Sequence, residues 1–398
     1  MAEIITFGCR LNACESDIIQ DFADELGIED YTIINTCAVT AEAERKLRQA
    51  IRKLNSEGKS IILTGCAAQL NPKYYLSMPG VIGIISNTMK LRKSEYENYG
   101  GGAPQKTPRS KVRGFLQIQN GCDNHCTYCI VRVTRGPNVS FDKDEIVVQA
   151  QKLLKKGYKE IVLTGVNISS YGRDFPEAVN ENLARLIRYV LKNVPNLQRL
   201  RLSSLDPADF DKDLLDMIAN EERLMPHIHE SIQSGDNLIL KRMRRRHTRE
   251  MLIETNAKIL EARPNMIFGA DFIVGFPTEN DEMFENTKKL FREANLSLLH
   301  VFKYSKRPGT PAAAMPQVAK QIKIDRMHHL KHLANEILRE KMQSCVGQIV
   351  NALAEDEHNA KTDNFLPIKS VQKMQAGRIY KMCCVDINND SLLGDLID

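Results

Sequence analysis

The sequence predicts an α/β protein in three units: a small parallel α/β domain over residues 1–98, a partial (βα)6 TIM-like barrel over 112–340, and a small C-terminal antiparallel β-barrel over 341–398. Three observations predict it. β-like runs alternate with amphipathic stretches before a glycine-rich break at residues 99–111, six further βα units follow that break, and the last unit holds only short alternating runs. With 398 residues, 42% of them hydrophobic, the chain can fill more than one core.

In the first unit the β-like runs are Ile4-Ile5-Thr6-Phe7-Gly8-Cys9, Ile33-Ile34-Asn35-Thr36-Cys37 and Ile61-Ile62-Leu63-Thr64-Gly65-Cys66, with amphipathic stretches at Glu15–Leu26 and Ala41–Leu54. Parallel α/β sheets gather ligands at the carboxyl ends of their strands. Cys9, Cys37 and Cys66 all fall there, so the fold would bring them together; the plainer reading is three separate buried thiols. Tyr99–Lys111 holds three consecutive glycines, two prolines and several basic residues and reads as a linker.

The barrel strands are expected at Phe115–Gln119, Glu160–Thr164, Gln198–Ser203, His227–Ile232, Met266–Val274 and Leu298–Phe302, with the active site at their carboxyl ends. A helix at Ile322–Met342 leads to runs at Ile349–Leu353, Phe365–Ile368, Ile379–Val385 and Leu392–Ile397. Small β-barrels of this kind often bind RNA.

Six of the ten cysteines form two triads. Cys122, Cys126 and Cys129 follow the first barrel strand, separated by three and then two residues. Three thiolates can hold a [4Fe-4S] cluster and leave one iron open. A structural zinc would need a fourth ligand, for which His125 is the nearest choice. Cys14, Cys345, Cys383 and Cys384 lack ligand-like surroundings and read as packing residues. No apolar run of about 18 residues and no basic, apolar leader is seen, so a cytoplasmic protein with no membrane contact is expected, and its thiols stay reduced. The net charge is +5, and Lys241-Arg242-Met243-Arg244-Arg245-Arg246-His247 would meet phosphates or simply end a helix in solvent.

The spacing of Cys122, Cys126 and Cys129, with Tyr128 before the last, resembles the radical S-adenosylmethionine (radical SAM) signature. In that superfamily SAM chelates the open iron and is cleaved reductively to a 5′-deoxyadenosyl radical. Phe7-Gly8-Cys9-Arg10-Leu11-Asn12, Asn35-Thr36-Cys37-Ala38-Val39-Thr40 and Thr64-Gly65-Cys66-Ala67-Ala68-Gln69 resemble the first domain of the methylthiotransferases. The likeness continues through Leu163–Ile168, Arg201–Ser204, Pro226–His229, Gln233–Gly235, Asp271–Pro277 and Tyr304–Thr310, and the C-terminal unit resembles the family's RNA-binding TRAM domain. Cys9-Arg10-Leu11-Asn12, Gly165–Ile168 and Lys306–Pro311 look most like the branch acting on N6-threonylcarbamoyladenosine at position 37 of tRNA.

The resemblance implies that Cys9, Cys37 and Cys66 hold an auxiliary [4Fe-4S] cluster that delivers sulfur, and that one SAM methylates this sulfur while a second supplies the radical. It further implies a tRNA substrate, a flavodoxin- or ferredoxin-like one-electron reductant and a sulfur donor of unstated nature. Tyr128, Asn167, Ser204, Gln233 and Gly275 would touch SAM or substrate; for Gly275 and Pro277, ordinary strand termination is an equal reading. His227 and His229 share a strand face and would bind metal or sit hydrogen-bonded in the core. Arg132-Val133, Glu230, Lys303 and Cys14 depart from the family pattern. Arg132 would meet a substrate carboxylate or face solvent, and Glu230 and Lys303 would alter the substrate pocket. Isopentenyladenosine in tRNA, an aspartate of a ribosomal protein, and a non-catalytic metal-containing RNA-binding role are the alternatives; about eight irons per chain would exclude the last.

Overall fold

The computed structural model describes residues 2–104 and 112–397, so residues 105–111 of the expected linker lie outside the described residues. Strands β1 (Glu3–Thr6), β2 (Tyr31–Thr36), β3 (Ser60–Gly65) and β4 (Val81–Ile84) form one parallel sheet in that order. Their apolar residues sort by the two-residue period of a strand. Ile33 and Ile62 pack under Ile19, Ala23 and Tyr96, whereas Ile34, Ile61 and Leu63 pack under Leu47, Ile51 and Leu54 of the opposite layer. Burying each isoleucine fully contributes about 1.5–3 kcal/mol. The helix Ala41–Ser56 starts where the Thr40 side chain accepts the Ala43 N–H, with Glu42 and Glu44 in its first turn. The helix Arg10–Leu26 ends at Gly27 in the left-handed region, φ 59°. A Cβ on Gly27 would lie 2.1 Å from the Gly102 carbonyl oxygen, and the Gly101 and Gly102 N–H groups donate to Leu26 and Gly27. The expected linker therefore begins as chain bound to the first sheet's helix.

The middle unit contains β5 (Arg113–Gln117), β6 (Gln119–Asn120), β7 (Val139–Ser140), β8 (Glu160–Thr164), β9 (Arg199–Leu202), β10 (Ser204–Leu205), β11 (His227–Gln233), β12 (Ile267–Val274) and β13 (Leu296–Lys303). Strands β5-β8-β9 and β10-β11-β12-β13 are two parallel sheets, and β6 pairs antiparallel with β7 beside the cysteine loop. The six long strands coincide with the six expected from the sequence. Helices at 143–155, 183–193, 212–220, 249–262 and 281–293 lie between successive strands, and a helix at 320–343 follows the last. Leu116, Leu163 and Leu202 join the outer core. By alternation, Arg113, Glu160, Arg199, Arg201 and His227 then face the lumen at the first-residue ends.

The third unit is a closed barrel of β14 (Ile349–Ala354), β15 (Asn359–Thr362), β16 (Pro367–Lys369), β17 (Ile379–Ile387) and β18 (Leu392–Leu396), in order β14-β15-β16-β18-β17. Four of its pairs are antiparallel; the β16–β18 pair is parallel. Its core takes in Met342 from the preceding helix, Cys345 from the turn after it and Ile267 from β12, which seats it against the first-residue ends of the middle strands. Cys384 is buried in that core, as is Cys345, and Cys14 is buried in the helix Arg10–Leu26, in keeping with packing roles.

Candidate active site

The tight cysteine triad lies on the loop between β6 and β7. Gln119 holds this loop: its Nε2 donates to the Asn120 and Gly121 carbonyls and to Asn138 Oδ1, while its Oε1 accepts the Asn167 N–H at 2.9 Å. Each sulfur faces a donor: the Asn124 N–H at 3.4 Å from Cys122 Sγ, Arg245 Nη1 at 3.6 Å from Cys126 Sγ, and the Val131 N–H at 3.4 Å from Cys129 Sγ. His125 is exposed and its Nδ1 lies 3.0 Å from Arg132, so it is engaged outside the triad. The surrounding protein raises the Cys129 thiol by desolvation, although the residue itself reaches the loop surface. Three sulfurs with N–H donors and, among the described residues, no fourth protein ligand hydrogen-bonded or paired to them fit a cluster with one open iron better than a closed zinc site.

The dispersed triad also converges. Cys9, Cys37 and Cys66 each follow one of three adjacent strands. Cys37 is raised to about 12, first by burial, with Cys9 and Cys66 among the charges it feels. The Val39 N–H lies 3.5 Å from Cys37 Sγ, and Asn87 Nδ2 lies 3.8 Å from Cys66 Sγ. A Cβ on Gly8 would stand 2.8 Å from Cys37 Sγ, so only glycine leaves this thiol its place.

The two triads are structurally joined. Ile130, directly after Cys129, is buried in the first domain's core with Cys66, Ala67 and Ala68. Asn87 Nδ2, the donor to Cys66, also donates to the Thr134 carbonyl at 2.7 Å. Arg135 then reaches back to Glu15 at 2.7 Å, and Lys90 Nζ meets the same carboxylate at 2.5 Å. Burial alone would raise the Glu15 carboxyl, but Lys90 and Arg135 hold it below its ordinary value.

Among the other sequence-predicted residues, Tyr128 stands edge-on to Phe276, centroids 6.4 Å apart, and Phe276 packs on Tyr304. Asn167 is buried just past β8. Ser204 opens β10 and leads to Asp206, which binds Asn124 of the cysteine loop and Arg245. Gln233 ends β11 at φ 77°, a conformation that non-glycine residues adopt at a cost. Gly275 is also left-handed, φ 65°, and a Cβ there would meet Lys323 Cγ at 2.4 Å, so helix packing suffices to explain this glycine. At the same level of the lumen, Gln117, Thr164 and Ser203 carry buried polar side-chain atoms without partners among the described residues. That polar patch suits a ligand rich in hydroxyl and carbonyl groups.

Several readings shift. The basic run divides: Arg245 and Arg246 pair with Asp206 at 3.0 and 3.2 Å and His247 is buried, whereas Lys241, Arg244 and Arg246 are exposed. Arg245 on Cys126 was missed, since nothing in a charge run says which arginine turns inward. Glu230 points away from the substrate pocket, toward Asn256 on the 249–262 helix at 3.1 Å, and burial pushes its carboxyl up to about 8. Lys303 is exposed at the end of β13. His227 is buried and kept neutral, first by desolvation and then by Arg201. His229 Nε2 and His300 Nδ1 bind Asp271 Oδ1 at 3.1 and 3.2 Å.

Comparison with known proteins agrees with this geometry. The model of the "Radical SAM superfamily" matches residues 116–291, and that of "Uncharacterized protein family UPF0004" matches residues 1–86. The threonylcarbamoyladenosine tRNA methylthiotransferase MtaB of Rickettsia prowazekii is 46% identical over 97% of this chain and 95% of its own length. The chain belongs to the radical SAM methylthiotransferase family. MtaB of Bacillus subtilis is 35% identical over 95% of this chain and 92% of its own length. The tRNA-2-methylthio-N(6)-dimethylallyladenosine synthase of Rickettsia rickettsii is 32% identical over 99% of this chain and 95% of its own. Among solved structures, the radical SAM methyltransferase TsrM of Kitasatospora setae aligns with a TM-score of 0.53 at 14% identity, covering 76% of this chain and 69% of that one, a likeness of fold alone. As expected for a methylthiotransferase, the cofactors are two [4Fe-4S] clusters and SAM. Among the described residues no helix is long and apolar enough to cross a membrane.

Proposed function

We propose that this protein inserts a methylthio group at C2 of N6-threonylcarbamoyladenosine at position 37 of tRNA, consuming two SAM molecules per turnover. The observation that carries this reading is near-full-length likeness to a relative named for that activity, at 46% identity, in a chain where Ile130, next to Cys129, packs in the same core as Cys66. In this reading Cys122, Cys126 and Cys129 hold the radical-generating cluster, and Cys9, Cys37 and Cys66 hold the auxiliary one. When bound, the first cluster with SAM supplies a hydrogen-abstracting radical, and the second supplies the sulfur.

The chain's own residues orient and shield. Arg245 donates to Cys126 and brings positive charge to an otherwise anionic thiolate set, which favours reduction. Tyr128, Asn167, Ser204 and Gln233 line the approach of SAM and the base, and the Tyr128–Phe276–Tyr304 aromatic group keeps water from one side of it. Gly275 keeps the close helix contact beneath that aromatic group. A flavodoxin- or ferredoxin-like protein would supply the electron, a separate donor the sulfur, and the cytoplasm is the expected setting.

Digested tRNA from cells with and without the gene, compared by mass spectrometry for 2-methylthio nucleosides, tests the reading. Selective loss of the threonylcarbamoyl form supports it. Its persistence together with loss of the isopentenyl form, or of methylthiolation on a ribosomal protein, would assign the chain to one of those substrates instead.

A further inference from the structure

Arg10 directly follows Cys9 and opens the first long helix. Its side chain leaves that domain for the space between the middle unit and the C-terminal barrel, with its guanidinium carbon 5.8 Å from the Phe365 ring centroid. Phe365 sits at φ 72° between β15 and β16, so its backbone is strained to place the ring. The same ring stacks on His227, centroids 4.9 Å apart, and lies under Arg113, Arg201 and Lys361.

The other arginines of this layer are committed. Arg113, Arg199 and Arg201 each bind Glu160, at 2.7, 2.8 and 2.9 Å. Arg113 and Arg199 also pair with Glu355 and Asp363 of the C-terminal barrel. Asp271, an acid near Arg10, is held by His229 and His300. Among the described residues, Arg10 alone of these arginines has neither an ion pair nor a hydrogen bond. Its nitrogens are not among the fully buried unpartnered atoms, so the planar fork of donors stands open to solvent and is free to match a carboxylate bidentately.

We propose that Arg10 binds the carboxylate of the threonyl group on the substrate adenosine, and so selects threonylcarbamoyladenosine over adenosines with uncharged N6 substituents. This rests on the proposed tRNA substrate. It places the recognition of the side group one residue from a ligand of the sulfur-delivering cluster, in a seam closed by the C-terminal barrel. The N6 substituent would then be held while C2 meets the sulfur.

The test uses anaerobically reconstituted full-length enzyme and anticodon stem-loops carrying threonylcarbamoyladenosine, its methyl ester, or isopentenyladenosine at the target position. Stem-loop binding is read by fluorescence anisotropy, and turnover by mass spectrometry. The wild type is expected to favour the free carboxylate over the ester by roughly 10- to 100-fold in kcat/KM, the range for a site built to bond a charged group. Arg10→Gln should lose that preference and Arg10→Lys should keep part of it. Iron content controls for damage beside Cys9, and the ester comparison on wild type needs no variant. Equal use of acid and ester by the wild type overturns the proposal. Equal weakening of all three stem-loops in Arg10→Gln also overturns it, and identifies a backbone phosphate contact instead. If wild type methylthiolates only the isopentenyl stem-loop, the substrate reading itself is what failed.

Discussion

Replacing Glu15 by glutamine removes the charge that ties Arg135, after the tight cysteine loop, to the first domain. Its carboxylate accepts Lys90 Nζ at 2.5 Å and Arg135 Nη1 and Nη2 at 2.7 and 2.9 Å. All three side chains are at most 2% exposed. Glutamine keeps the shape and one acceptor oxygen but leaves two buried cations facing each other. Breaking a buried pair by removing one partner costs about 3–5 kcal/mol, and the remaining cation–cation repulsion places this case toward the upper end. Asn12 and Asn120 still accept from Arg135, which keeps the loss from exceeding that range. Urea unfolding of the apoprotein at pH 7 measures it. Glu57→Gln, at the exposed pair with Lys53 at 3.8 Å, serves as control and should change stability by about 0.5 kcal/mol or less. The sign with pH follows from the lowered Glu15 carboxyl. Its stabilisation is fully present above the unfolded value near ~4.3 and is lost as pH falls through the lower folded value, so wild type and variant should converge only in acid. A loss below about 1 kcal/mol at pH 7, on a scale where 3–5 is expected, would refute the view that this ion cluster joins the two domains.

Three other outcomes are expected. Glu230→Gln should stabilise the protein at pH 8: the folded carboxyl, raised to about 8 by burial, keeps a proton that the unfolded chain releases near ~4.3, so wild-type stability falls between those values by roughly 4 kcal/mol and the variant should lack that slope. A wild-type slope equal to the variant's in pH-dependent urea unfolding would contradict this. Arg245→Gln should make the midpoint potential of the radical-site cluster more negative in EPR-monitored titration, because an N–H donor and a positive charge leave Cys126; an unmoved midpoint rules that role out. Changing Cys9, Cys37 and Cys66 together to alanine should lower iron from about eight to about four per chain while reductive SAM cleavage persists, and unchanged iron would show that these thiols hold no cluster.

Most strands were readable because their signal is local. The six long middle strands and the first three carry apolar runs bounded by turn residues, and periodicity finds such runs. Strand β15, Asn359-Ala360-Lys361-Thr362, was missed because it is four residues long and Ala360 is its only apolar residue, too little for periodicity to register. The placement of Cys9, Cys37 and Cys66 at the ends of three adjacent strands was legible, because each closes an apolar run. What surrounds them was not. Nothing near Arg245 in the chain announces Cys126, and nothing in Glu160 announces its three arginines, since those partners meet only when separate strands align. Glu230 misled for a simpler reason. An acid at an aliphatic position says that something changed, but the two-residue alternation from His227 and His229 is what turns it outward to Asn256 rather than into the lumen.

The placement of Ile130 bears on how sulfur reaches the base. A cysteine loop on a flexible tether could bring its cluster to the other only by a conformational change. Here the residue after Cys129 is 6% exposed and packs with Cys66, Ala67 and Ala68, so the end of the tight cysteine loop is part of the core that positions Cys66. Separating the triads would expose that isoleucine, at about 1.5–3 kcal/mol, and would also break the Asn87–Thr134 bond and the Glu15 ion cluster. These terms act on one seam and oppose the same motion. Folding therefore opposes separating the two cysteine triads.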